Sequence, residues 1–304
     1  MNGTLPAGGA ARSTRIRELH PVTAVDAPPL AVLTGEIGPA RTAVLVADGM
    51  VYQFHGRPLV MASAVEAGAA ETVAFFLWID GWLAPGQPGE RMLSGSLDAA
   101  GIHRRWIRLT PGQLGHQGRD LRRGAIYLRP PDGAATGTDP AWTDQSGSRF
   151  EVRPPRDTAE RAFVADLLNT AIRIGCTELG VAGELEVSGP AADRPGLALD
   201  GEPLTCRIAL ADGVPVGHAS WIASREDELT GQPYVELVDI SVVPEARRRG
   251  ATAVLAAAAQ AAATDCGQPL VGSVVCQADG GHRPILDRLL ADGWWIAFGV
   301  AAHG

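Results

Sequence analysis

Residues 242–252 read Val242-Val243-Pro244-Glu245-Ala246-Arg247-Arg248-Arg249-Gly250-Ala251-Thr252. The strong strand formers of residues 234–243 stop at Pro244, which has no N–H to give a sheet ladder. Past the arginines, Gly250 opens an alanine-rich stretch of helix formers that Gly267 and Pro269 close. The reading is strand, tight basic turn, helix. Such a junction aims several unpaired backbone N–H groups and the positive end of a helix dipole at one point, and that point suits a pyrophosphate. Gly250 permits close approach of a ligand to the backbone, and Arg247, Arg248 and Arg249 can add charge-assisted bonds.

The flanking sequence extends this pattern. FEVRPPR (150–156) is a short strand, after which Asp157 caps a helix with Glu160 three residues on. Phe163, Val164, Leu167, Leu168, Ala171 and Ile172 recur at helical spacing until Gly175. TCRIALAD and VPVGHASWIA pair as a hairpin about Asp212-Gly213. PLVGSVVC is a strand, HRPILDRLLADG a helix and WWIAFGVAA a last strand. The order β-α-β-β-β-α-β-α-β predicts an α/β domain over residues 149–304, a mixed sheet with flanking helices.

The first half is less explicit. Residues 1–40, rich in Pro, Gly and Ala, are expected to be a mobile arm, and residues 131–148 an interdomain linker. Residues 41–130 read as a β-rich domain of unknown function. TAVLVADGMVYQF suggests a hairpin about Asp48-Gly49, and ETVAFFLWID, RRWIRL and GAIYLRP are strand candidates. Trp78, Trp82 and Trp106 read as core, and neither an internal repeat nor a catalytic spacing is evident there.

Composition narrows the partners. All 26 basic residues are arginine, and the formal net charge is −8. Arginine and acidic residues balance at 13 each before residue 149, whereas 21 acidic residues face 13 arginines after it. An acidic domain repels phosphate backbones, so nucleic acid is not expected, and an amine-bearing acceptor is favoured. No apolar run is long enough to span a membrane and no secretory signal is read, so membrane contact is not expected and the expected location is cytoplasmic. The four cysteines have no C-x-x-C spacing and read as free thiols, with no metal implied.

Taken with its flanking elements, the 242–252 segment resembles the cofactor motif of the GNAT superfamily of acyl-CoA-dependent N-acyltransferases. That motif runs Val-x-Pro-Glu, Gln or Arg, two residues, Gly, one residue, then Gly or Ala; here Thr252 takes the last small position. The resemblance covers the C-terminal half. It implies an acyl-CoA donor, acetyl-CoA by default, whose pyrophosphate lies on the residue 247–252 turn. The pantetheine arm would run between residues 234–243 and 269–276, with Ser241, Val242 and Val243 offering backbone donors. It also implies a general base at Glu236, eleven residues before Arg247. The base would deprotonate a small-molecule primary amine for direct attack on the thioester. The family's usual acid, a tyrosine in the following helix, is missing: leucines fill the matching positions, leaving His282 or water for that role. A non-catalytic acyl-CoA-binding regulatory or scaffold protein is the alternative. Residues 149–304 alone are expected to hold the cofactor, with the first half ordering the acceptor site, and the form of self-association left open is a homodimer.

Overall fold

The computed structural model describes residues 18–23, 30–66, 72–114, 121, 123–131, 141–179, 187–188, 196–277 and 279–303. The first half runs β1 (Leu19–Pro21), α1 (Ala31–Ile37), α2 (Pro39–Ala47), β2 (Val51–Phe54), β3 (Arg57–Glu66) and β4 (Thr72–Ile79). A 3₁₀ turn (Gly81–Leu83), α3 (Pro88–Ala99), β5 (Arg104–Leu109), α4 (Pro111–Leu114) and β6 (Gly124–Arg129) complete it. The second half runs β7 (Ala141–Thr143), β8 (Arg149–Arg153), α5 (Thr158–Leu179), β9 (Val187–Ser188), β10 (Leu197–Leu199), β11 (Glu202–Ala211), β12 (Val214–Glu226) and β13 (Pro233–Val242). It ends with a 3₁₀ turn (Pro244–Ala246), α6 (Ala251–Asp265), β14 (Leu270–Cys276), α7 (Arg283–Ala291) and β15 (Trp295–His303). The mixed α/β architecture over 149–304 is as the sequence order implies.

The fifteen strands among the described residues join one sheet, ordered β1-β2-β3-β4-β5-β15-β6-β14-β13-β12-β11-β10-β9, with β7 and β8 appended at β11. The pairing is antiparallel except for β4 with β5 and β13 with β14. Each half therefore repeats one plan, a meander whose last strand leads through a 3₁₀ turn and a helix to a parallel partner. The spacing is the same in both, from Gly81 to Pro88 and from Pro244 to Ala251. No repeat was legible in the sequence because the two copies share element order and not residues.

The halves also exchange strands at their junction. β15, from the second half, lies between β5 and β6, and β6, from the first, lies between β15 and β14. Ile126 and Leu128 of β6 are buried with Val274, Cys276 and Leu286 of the second half. Arg108 of β5 grips Asp227 beyond β12 with two bonds of 3.0 and 2.8 Å. Burial works to raise the Asp227 carboxyl, but Arg108 overrides it and leaves it below the usual range.

The helices α1, α2 and α5 lie on one face, called the α5 face: Leu33 and Leu45 pack on Val60 and Leu77, and Val164 and Leu168 on Ile208 and Ile222. On the opposite, α6 face, Leu93 and Leu97 of α3, Leu255 and Ala259 of α6 and Leu286 of α7 cover the sheet.

Several sequence expectations need correction. The hairpin about Asp48-Gly49 is instead the end of α2, since Pro39 starts a helix whose Thr42, Leu45 and Val46 reach the core at helical spacing. Gly49, at φ +69°, stops that helix and does not turn a hairpin. The arm of residues 1–40 contains β1 and α1, while residues 1–17 and 24–29 lie outside the described residues. Within the expected linker, β7 pairs with β8, and residues 132–140 lie outside the described residues. α5 passes through Gly175, buried in the helix, and runs on to Leu179. No helix among the described residues is long and apolar enough to cross a membrane.

Candidate active site

At the end of β13 the Ala246 N–H bonds Val243 O at 3.0 Å, closing the 3₁₀ turn. Arg247 is extended, and its Nε donates to Val242 O at 3.1 Å. Arg248 at φ +63° and Gly250 at φ +94° then reverse the chain into α6. Both lie in the left-handed region, where only glycine is free of Cβ cost. Gly250 caps α6 without a side-chain bond. The first-turn N–H groups, which no carbonyl four residues back can take, therefore gather at one uncapped helix end. Ala251, Leu255, Ala259 and Ala263 form the buried stripe of α6, small enough to seat the helix closely on the sheet.

The stretch that looked like a linker covers one side of this turn. Trp142 on β7 donates its indole N–H to Arg249 O at 3.1 Å and stacks on Phe150. Arg249 Nε donates to Asp144 Oδ2 at 2.5 Å, Nη2 to Ser146 Oγ at 3.1 Å, and the guanidinium lies 4.9 Å from the Phe150 ring centre. The Arg249 guanidinium, helped by Ser146, holds the Asp144 carboxyl down at about 2. Of the three arginines expected at the cofactor, Arg247 and Arg248 are exposed at the turn and Arg249 is committed to this clamp. Sequence reasoning missed Trp142 and Asp144 because they sit among Pro, Gly, Ser and Thr residues that resemble a linker.

β13 and β14 pair only at Val235–Leu270, Glu236–Val271 and Leu237–Gly272. Beyond Leu237 the two strands part, leaving one side of residues 238–242 without a ladder. Backbone polar groups alternate along a strand. The Val243 N–H is bonded to Val216 O at 2.8 Å, so it does not face the gap. Val242, whose carbonyl takes Arg247, turns to the other side, so its N–H faces the parting. Of the three donors expected at Ser241, Val242 and Val243, Val242 is the one so directed.

A bulge sets the chemistry of β13. Leu237 is opposite Trp221 and Asp239 opposite Ser220, so Val238 is an extra residue. Glu236 is opposite Ile222, which packs beneath α5. The bulge brings Asp239 to that same face, where regular pleating would have turned it away. Glu236 is 8% exposed, and its Oε2 accepts from Arg225 Nε at 3.1 Å. The sequence showed a buried carboxylate but not this partner, which comes from β12 across a second irregularity in the ladder. Nearby, Tyr127 from β6 stacks on Phe298 of β15; burial, and then Glu236, push its phenol up.

The sequence of residues 168–282 matches the model of the Acetyltransferase (GNAT) family. The C-terminal half carries a GNAT acetyltransferase domain. No curated protein matches the sequence. Among solved structures, a GCN5-related N-acetyltransferase from Sphaerobacter thermophilus is similar at 9% identity and a TM-score of 0.49, covering 94% of each chain. One from Kribbella flavida has 15% identity and a TM-score of 0.38, covering 80% of this chain and 85% of its own. The aminoglycoside N-acetyltransferase AAC(6')-Iy in complex with CoA has 21% identity and a TM-score of 0.30, covering 48% of this chain and 88% of its own.

The counterpart of the GNAT turn in the first half is built differently. Gln87 occupies the cap position that Gly250 holds, and Pro88, without an N–H, starts α3. The Gly86 N–H donates to the Glu90 carboxylate at 2.6 Å, so an acidic side chain of the chain itself stands at this helix end. Trp82 packs against Gly89, where an added Cβ would meet its ring at 2.3 Å.

In the GNAT domain's last helix, α7, Leu289 and Leu290 pack against the cluster of Ile126, Leu128 and Leu286. Leucine there serves packing, which explains the place of the missing tyrosine. His282 precedes α7, is buried, and accepts the Gln277 N–H at Nδ1 over 3.0 Å.

Proposed function

We propose that the chain transfers an acyl group, acetyl by default, from an acyl-CoA to a primary amine of a small molecule. The observation that carries this reading is the uncapped, left-handed turn into α6 at the point where β13 and β14 part. The donor's pyrophosphate would rest on the N–H groups of Gly250, Ala251 and Thr252, with Arg247 and Arg248 beside it. Its thioester would thread the parting, where the Val242 N–H can stabilise the oxyanion that forms on attack. On the α5 face, Glu236 and Asp239 supply negative charge for an ammonium, and Tyr127 and Arg108 of the first half border the same region. The leaving thiolate is stable enough near neutral pH to depart without a phenol, the ordinary thiol value being about 8.5.

The test uses the full chain with acetyl-CoA and a panel of small primary amines, following thiol release and the acetyl mass gained by the amine. Amine-dependent release is expected. CoA binding without release by any amine would replace this reading with that of an acyl-CoA-binding regulator.

A second expectation concerns stoichiometry. The first-half turn is occupied by Glu90 and lacks the Pro88 N–H, so calorimetry on the full chain should give one CoA per chain. A value of two would show that the first half retains a donor site.

A further inference from the structure

We propose that Asp239, backed by His218, takes the proton from the acceptor amine, while Glu236, paired with Arg225, orients that amine; this rests on the transferase reading above. His218 is fully buried, and its Nε2 lies 3.2 Å from Asp239 Oδ2. Its Nδ1 lies 2.9 Å from Ser220 Oγ, whose hydroxyl donates to Cys206 Sγ at 3.3 Å. With the Ser220 hydrogen directed at sulfur, Nδ1 is the donor to Ser220. The ring then turns Nε2 toward Asp239 and backs its carboxylate from inside the sheet. The Nε2 contact is close but outside hydrogen-bond alignment, as resting catalytic pairs often are.

The position of Asp239 agrees with its chemistry. Its Oδ2 also accepts from Ser241 Oγ at 2.6 Å, which fixes the carboxylate, whereas Oδ1 has no partner among the described residues. The side chain is 19% exposed, so the carboxylate is not sealed inside the sheet. Asp239 stands past the last β13–β14 pair, beside the parting where the thioester would lie, and Glu236 stands before it. Glu236 is also held by Arg225 in an ion pair of 3.1 Å. The extra residue at Val238 is what delivers Asp239 to this face.

The step balances as follows. An R–NH3⁺ acceptor passes one proton to Asp239, and the freed lone pair attacks the thioester carbonyl carbon. The C–N bond forms, the C–S bond breaks, and the departing thiolate gains the nitrogen's second surplus proton. Asp239 then returns its proton to water, giving the amide, CoA thiol and one H⁺. His218 touches no reacting atom and is a positioning residue.

Steady-state thiol release by the full chain, with CoA calorimetry and thermal midpoints as controls, tests the assignment. Asp239→Asn should lower kcat by about 10²–10⁴-fold with CoA affinity unchanged. Glu236→Gln should act mainly on the amine KM, with kcat within about tenfold. His218→Gln should lower kcat while leaving the amine KM within about twofold, a split that a merely structural role would not give. Should that variant fail to fold, Ser220→Ala disturbs the same imidazole and should show the same split. An active parent whose Glu236→Gln loses as much kcat as Asp239→Asn, or whose Asp239→Asn stays within about threefold, overturns the assignment alone. An inactive parent that binds CoA overturns the transferase reading and this assignment with it.

Discussion

Residues 149–304 expressed alone should neither unfold cooperatively nor bind CoA, against the expectation from sequence that this half holds the cofactor by itself. Without β6, β14 presents an open edge from Gly272 to Cys276, and β15 loses its neighbours on both sides. Ile126, Tyr127 and Leu128 leave the clusters beneath α7 and beside Tyr234. Burial of a large apolar side chain is worth about 1.5–3 kcal/mol, so losing these three forfeits about 4.5–9 kcal/mol, comparable to the roughly 5–15 kcal/mol by which a whole domain is stable. The exposed strand edge adds an aggregation hazard. Circular dichroism against temperature and calorimetry with CoA check this. A monomeric fragment with a sharp transition and the affinity of the full chain would show that the exchange of strands contributes little.

Gly250→Asp in the full chain should abolish CoA binding, a loss of at least about 100-fold, equivalent to about 2.7 kcal/mol. Three effects coincide. The position has φ +94°, a Cβ there would stand 3.3 Å from Trp142 Nε1, and a carboxylate would occupy the point reserved for phosphate. Gly250→Ala keeps the first two effects without the charge and should lose less. Unchanged heat on titrating Gly250→Asp with CoA would remove the pyrophosphate from this turn.

How much of this was legible depended on how local the cause was. The α6 junction is written in consecutive residues, Pro244 to end a strand and Gly250 to start a helix, so its place was readable. The strands around Trp78, Trp106 and Tyr127 were readable because β-formers cluster there. The helix ending at Ala47 was not, because an apolar run before Asp-Gly fits a hairpin and a buried helix equally. At the site, Glu236 was implied by the family resemblance, but its partner Arg225 depends on a ladder irregularity, and the facing of Asp239 depends on one extra residue at Val238. Long-range features left no local trace: Trp142 over Gly250, Asp144 on Arg249, and β6 and β15 trading places.

That trade also dictates an order of events at the ribosome. Chains emerge N-terminus first, and domains commonly fold as they emerge. Here β5 waits for β15, at residues 295–303, which follows every other described strand in chain order. The first half therefore cannot complete its sheet until the second half has been made, and its most non-local pairing closes after all the others. Loss of β15 would thus be felt in the first half, at β5.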